Sequence, residues 1–200
     1  MPKFATKLVE RIEVAEGTMA FAFERPAGFT FTAGQFLNVI LPNPLHTDAK
    51  GNRRTFTIAS PPQEEKRLQI ATRMTGSALK RSLAEATLGT PVELLGPAGI
   101  FTLHDDSALP AVFIAGGIGI TPFRSMLHDA FARRLPHQIT LIYSNRNPEG
   151  AAFHEEFLRI AAMYDNFKYL PTMTDADKSN QPWDGERRYV NADFLHEHIR

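Results

Sequence analysis

The sequence predicts an antiparallel β-barrel followed by an α/β unit on a parallel sheet, and three observations carry that prediction. The first half is a series of short β-rich runs punctuated by turn residues. Near Asp105-Asp106-Ser107 the period changes, and apolar strands begin to alternate with helical patterns. Where the first of those strands meets the first of those helices stands "VFIAGGIGITPF", Val112 to Phe123, with three glycines behind an apolar run.

In the first half, "ATKLVERIEVAEGTMAFAFERP" alternates around a Glu16-Gly17 turn, which predicts a hairpin. "GQFLNVILP", "RTFTIAS", "LQIATRM" and "TPVELLGP" continue the strand series. One helix interrupts it, "TGSALKRSLAEATLG". Ser77 is its expected N-cap, Leu79, Leu83 and Leu88 its apolar face, and Gly89 its C-terminal stop.

In the second half, "AVFIAGG" reads as a continuous apolar strand. "TPFRSMLHDAFARRLP" reads as a helix with Thr121 as cap, Pro122 in the first turn and two arginines at the end. "QITLIYSNR" is a second strand. "GAAFHEEFLRIAAMY" is a helix striped by Phe153, Phe157, Ile160 and Tyr164. "FKYLPTMTD" is a third strand, which Pro171 assigns to an edge or a bulge. "NADFLHEHIR" closes with a short helix, after the polar loop "DADKSNQPWDGERR". The order is βαβαβ, hence parallel strands with right-handed crossovers. The domain boundary falls at about Ser107, giving domains 1–107 and 108–200.

Composition narrows the function. Of 200 residues, 22 are Lys or Arg and 22 are Asp or Glu, so the net charge is zero and the broad basic footprint of a nucleic-acid binder is missing. No apolar run reaches the length of a bilayer span, and the N-terminus has no apolar signal segment, so the expected location is the cytoplasm. There is no cysteine, which excludes disulfides, a thiolate nucleophile and Cys-ligated zinc or iron–sulfur centres within this chain. His196 and His198 are the closest histidine pair, but their i,i+2 spacing points them to different helix faces, so no metal site is expected.

A parallel strand running into Gly116-Gly117-Ile118-Gly119 and then a helix is a nucleotide-binding geometry. Glycine lets backbone approach a ligand, and a helix N-terminus offers free N–H groups and the positive end of its dipole to phosphate. The full G-x-G-x-x-G pattern is not met, since the last position is Pro122, and Ser144, Asn145 and Arg146 stand where an acidic ribose ligand would follow the second strand.

Two further motifs sharpen this reading. Arg54-Thr55-Phe56-Thr57 within "RRTFTIASPP", the Gly76-Ser77 pair at a helix start, and the Gly-Gly-x-Gly-x-Thr-Pro turn matched at every fixed position from Gly116 to Pro122 occur in the order found in the ferredoxin–NADP reductase family, which this chain resembles over essentially its whole length. The resemblance implies an antiparallel FAD-binding barrel followed by a Rossmann-like NAD(P) domain. It implies an NAD(P)H oxidoreductase passing hydride from nicotinamide to flavin, then electrons to an acceptor protein. A flavin-binding or regulatory subunit without efficient turnover is the alternative.

Roles for single residues follow from the resemblance. Arg54 would pair with flavin phosphate through a charge-assisted fork. Phe56 would offer its ring to the isoalloxazine, with a barrel-core phenylalanine as the rival reading. Thr55 lies between them in the motif, and Thr57 would hydrogen-bond the flavin near N5. Gly76 and Ser77 would set helix N–H groups under the pyrophosphate. Ile70, Ala71 and Thr72 would run along the adenylate through their backbone. Gly116, Gly117, Gly119, Thr121 and Pro122 would bind the nicotinamide dinucleotide, with Thr121 beside the ring, so Thr57 and Thr121 are the two residues expected at the hydride path. Ser144 and Arg146 could take a 2′-phosphate, which leans toward NADPH.

Family members continue beyond the last helix with a further strand ending in a Cys-Gly-Pro-like turn, which has no counterpart here, so the second domain reads as C-terminally short. The expected consequence is an exposed edge on the strand Ala111 to Ala115, open to pairing in a homodimer or to cover by a loop.

Overall fold

The computed structural model describes residues 1–199; Arg200, the last residue of the expected second domain, lies outside them. The chain forms two compact units. The first gathers Met1–His104 with Thr121–Leu135, and the second gathers Asp105–Ile120 with the chain from Pro136 onward.

The first unit is built on β1 (Lys3–Ala15), β2 (Thr18–Glu24), β3 (Phe36–Ile40), β4 (Arg53–Thr57), β5 (Arg67–Arg73) and β6 (Pro91–Ala98). They form one six-stranded sheet in the order β4-β3-β6-β1-β2-β5, with every pair antiparallel. The β1–β2 hairpin closes through the two residues Glu16 and Gly17. Gly17 sits at φ +63°, the left-handed conformation a tight hairpin demands. The sheet curls back on itself: the Ala59 N–H, just past β4, donates to Gln69 O on β5 at 2.7 Å. Inside are Leu8, Phe21, Phe23, Leu37, Val39, Ile58, Leu68, Ile70, Val92 and Leu94, each 1% exposed or less. At about 1.5–3 kcal/mol per fully buried large apolar side chain, this core holds the unit together.

Helix α1 (Ala78–Glu85) closes one end of the barrel with Leu79 and Leu83. It is shorter than the sequence suggests. Ala86 already has extended backbone, so Leu88 lies outside the helix and is 59% exposed. Gly89, at φ +93°, sits in the turn before β6 and donates to Leu8 O instead of stopping the helix.

Helix α2 (Thr121–Ala132) groups with the barrel. Its Ser125 hydroxyl, fully buried, donates to Ser60 O at 2.7 Å, and Arg124 donates to Ala59 O (2.8 Å) and Gln69 Oε1 (2.9 Å). Gly34 makes room for this packing. It has φ +97°, and a Cβ there would lie 2.1 Å from Phe101 O and 2.3 Å from Met126 Cε. Thr121 is the first helical residue rather than a cap, because a 3₁₀ turn over Gly117–Ile120 leads straight into it.

The second unit holds a three-stranded parallel sheet in the order β7-β8-β9, from β7 (Ala111–Gly116), β8 (Ile139–Asn145) and β9 (Phe167–Met173). β9 is an edge strand, which accommodates Pro171. Helix α3 (His154–Met163) buries Phe157 and Ile160. Phe153 and Tyr164, expected on the same stripe, instead flank the helix, Phe153 at φ +63° and Tyr164 extended. The polar loop after β9 is ordered by one carboxylate: Glu149 accepts from Ser179 Oγ and from the Asn180 and Gln181 N–H groups. Helix α4 (Ala192–His198) starts at Asn191, whose side chain accepts from the Phe194 N–H at 2.9 Å.

Candidate active site

Strand β4 delivers the Arg54-Thr55-Phe56-Thr57 motif, and alternation along the strand separates its side chains. Thr55 is exposed and donates to Asn38 Oδ1 on β3 at 2.8 Å. Phe56 is 8% exposed and packs in the barrel core. Thr57 is half-buried, and its hydroxyl bonds no protein group among the described residues. The Arg54 side chain folds back over the loop preceding its strand. Nη1 donates to the carbonyls of Lys50, Gly51 and Arg53, and Nη2 donates to both carboxylate oxygens of Asp48 at 2.6 and 2.7 Å.

Asp48 is the residue that sequence reasoning missed. Its Oδ2 also accepts the Ala78 N–H, the first of α1, at 3.0 Å, and its Oδ1 accepts the Lys50 N–H at 2.9 Å. One anion is thus held jointly by the motif arginine and the helix N-terminus. Hydrogen bonds from Arg54 first, and then from Ala78, hold the Asp48 carboxyl below the usual carboxylate range. Lys80, in the first turn of α1, donates to Arg73 O (2.8 Å) and Thr75 Oγ1 (3.2 Å). Burial first, and the Arg54 charge second, lower the pKa of Lys80.

Ser77 stands at the N-cap position but makes no capping bond; Asp48 bonds the Ala78 N–H in its place. The Ser77 hydroxyl is buried with no hydrogen-bond partner among the described residues. A Cβ placed on Gly76 would meet nothing within 4 Å. An unpaired hydroxyl, open space and a resident carboxylate between a guanidinium and a helix N-terminal N–H are features suited to a phosphate. On β5, Ile70, Ala71 and Thr72 are all buried, and their stretch pairs antiparallel with β2.

In the second unit, β7 ends at Gly116. Of the three turn glycines only Gly117 needs a left-handed backbone, at φ +50°. A Cβ on Gly116 or Gly119 would meet nothing within 4 Å, which leaves room for a ligand close to the backbone. Pro122 occupies the first turn of α2, and Thr121 is 6% exposed. Beyond β8, Ser144 is half-buried and Arg146 exposed, and the Arg146 carbonyl accepts the Asp175 N–H at 2.8 Å, which ties the loops after β8 and β9 together. Between them the Asn145 amide is 5% exposed with neither polar atom bonded. On β7, Val112 and Ile114 are 40% and 48% exposed, so the apolar run is covered on one face only.

A barrel with a carboxylate held at a helix N-terminus, and a parallel sheet with a glycine turn behind its first strand, are a layout suited to binding a dinucleotide. Residues 113–200 carry the signature described as "Oxidoreductase NAD-binding domain". The chain is 31% identical to ferredoxin–NADP reductase B of Sorangium cellulosum over 192 residues, covering 94% of this chain and 76% of that one. The chain belongs to the ferredoxin–NADP reductase family. It is also 32% identical, over 163 residues, to the reductase component of phenol 2-monooxygenase from Pseudomonas sp. strain CF600, covering 80% of this chain and 44% of that protein. Among solved structures, a ferredoxin–NADP reductase from Neisseria gonorrhoeae with bound FAD and NADP superimposes with a TM-score of 0.76 at 21% identity, covering 94% of this chain and 74% of that one. Among the described residues, no helix is long and apolar enough to cross a membrane.

Proposed function

We propose that this chain is a cytoplasmic FAD-dependent NAD(P)H oxidoreductase of the reductase-component type, which takes hydride from nicotinamide and delivers electrons to a protein acceptor. The observation that carries the reading is the convergence of Arg54 and the α1 N-terminus on a single anion, with the unbonded Ser77 hydroxyl beside them. Bound FAD supplies the hydride-accepting and electron-releasing chemistry.

The protein's part is to bind and orient. Arg54, Ser77 and the first N–H groups of α1 receive the flavin phosphates, Arg54 as a planar charged donor and α1 through its dipole. The Thr57 hydroxyl, unbonded among the described residues, is available to the flavin edge. Phe56 contributes its remaining exposed edge and otherwise stiffens the strand that carries Arg54 and Thr57. Gly116, Gly117, Gly119, Thr121 and Pro122 receive the nicotinamide dinucleotide. Ser144 and Arg146 favour a 2′-phosphate, hence NADPH.

One titration tests this. The purified protein is supplied with FAD, its visible spectrum is recorded, and NADH or NADPH is added without oxygen. A flavin spectrum that bleaches at once supports the proposal. A flavin that stays oxidised reduces the chain to a flavin-binding subunit, and failure to retain FAD overturns the reading. The free edge of β7, with Val112 and Ile114 exposed, supports self-pairing through that strand; a monomer at micromolar concentration by light scattering rejects it.

A further inference from the structure

We infer that Asp48 is an internal counter-anion that occupies the flavin-phosphate seat and has to be displaced when FAD binds, so that it sets the cofactor affinity of this chain. The inference rests on the proposed flavin site and goes beyond it by assigning a competitor within the protein.

The hydrogen-bond arithmetic carries the argument. A guanidinium has five N–H donors, four of them on the two terminal nitrogens. In Arg54 those nitrogens already face three backbone carbonyls and the Asp48 carboxylate, which leaves Nε without a partner among the described residues. The first N–H of α1 is likewise spent on Asp48 Oδ2. The two groups best suited to hold a phosphate are therefore both bonded to a carboxylate, whose oxygens present the same charge-assisted acceptor chemistry. A phosphate could not gain them while Asp48 keeps them.

The loop that carries Asp48 is fastened independently of it. The His46 N–H donates to Ser82 Oγ on α1 at 2.9 Å, and His46 Nε2 meets Glu85 Oε2 at 2.7 Å. The Asp48 side chain can therefore swing out by rotation about its own bonds while the loop stays on α1. Nothing in the barrel core depends on it: the Asp48 side chain is 30% exposed and belongs to no apolar cluster. In the cofactor-free chain the carboxylate keeps Arg54, the α1 N-terminus and nearby Lys80 from facing one another uncompensated. In the loaded chain phosphate takes over that task.

The test compares wild-type protein with Asp48→Asn, both freed of flavin, titrated with FAD and with riboflavin, which has no phosphate. Flavin fluorescence reports binding. Asn keeps an oxygen for the Ala78 N–H but removes the charge. The expected result is FAD binding tightened about tenfold or more in the variant, riboflavin binding unchanged, and a lower melting temperature for the flavin-free variant, since a charge-assisted contact is exchanged for a neutral one. Unchanged or weaker FAD binding overturns the inference and makes Asp48 a permanent support for Arg54. An equal shift for both flavins also overturns it, because a structural change would not distinguish them. If Asp48→Asn does not fold, Asp48→Thr, which also keeps an oxygen, is read by the same criteria. Wild-type protein that takes up FAD, with a variant that takes it up no better, rejects only the inference; failure of both to take up FAD rejects the flavin site itself.

Discussion

Asp48 and Arg54 are joined through a single nitrogen: Nη2 of the arginine donates to both oxygens of the carboxylate, at 2.6 and 2.7 Å. The pair is partly shielded, with the Arg54 side chain 16% exposed, and it sits where α1 begins. Removing Arg54 should therefore act on the cofactor more than on the fold. Arg54→Ala is expected to weaken FAD binding at least about tenfold, through loss of a charge-assisted phosphate contact. Equilibrium titration of the flavin-free protein checks this, and an unchanged dissociation constant removes Arg54 from the site.

Ser125 tests the attachment of α2 to the barrel. Its hydroxyl is fully buried and donates to the Ser60 carbonyl, immediately beyond the strand motif. Ser125→Ala leaves that carbonyl without this donor, and a loss of about 1–3 kcal/mol in unfolding free energy is expected. Urea denaturation measures it; a change of a few tenths would mean that the bond is replaced by solvent.

Gly34 tests the same contact sterically. Its φ of +97° strains any L side chain, and a Cβ would collide with the Phe101 carbonyl and with Met126. Gly34→Ala is expected to cost about 2–6 kcal/mol, combining backbone strain with overpacking. A thermal melt that matches wild type would show that the α2 packing is not formed as described.

The second unit carries an acid-sensitive ion pair. Glu186 is pulled down from 4.5 to about 2, chiefly by hydrogen bonds from Arg188, with burial opposing. The folded pKa lies below the unfolded value, so the stabilisation is complete above about pH 4.5 and is lost as pH falls toward 2. Urea midpoints measured from pH 6 to pH 2.5 should fall in that window for wild type. Glu186→Gln should start lower at pH 6 and fall less steeply; parallel curves would contradict the assignment.

Much of this molecule was legible from local rules. The Glu16-Gly17 hairpin, the edge-or-bulge assignment of the Pro171 strand, the short helix in "NADFLHEHIR" and the glycine turn before α2 all follow from residues acting on their immediate neighbours. Helix ends were less legible. Leu88, Phe153 and Tyr164 fit a helical stripe by spacing, yet all three lie outside their helices, because backbone at Ala86, Phe153 and Tyr164 departs from helical values. At the site, the motif residues could be picked out one by one, but their partners could not. Arg54 and Thr57 are visible in a short string; Asp48 reaches the first N–H of α1 from 30 positions upstream, and no local pattern marks it.

The sequence by itself determined which segments become strands and helices and their order, and it placed the glycine turn and the Arg54 motif on them, because alternation, turn residues and charge act over a few positions. Tertiary structure alone decided that α2 packs on the barrel through Ser125 and Arg124, that β7 shows one apolar face to solvent, and that a carboxylate sits between Arg54 and α1. Those outcomes depend on groups separated in the chain being brought together by the fold. Their energies come from desolvation and hydrogen-bond satisfaction at those meetings, which no short window of sequence contains.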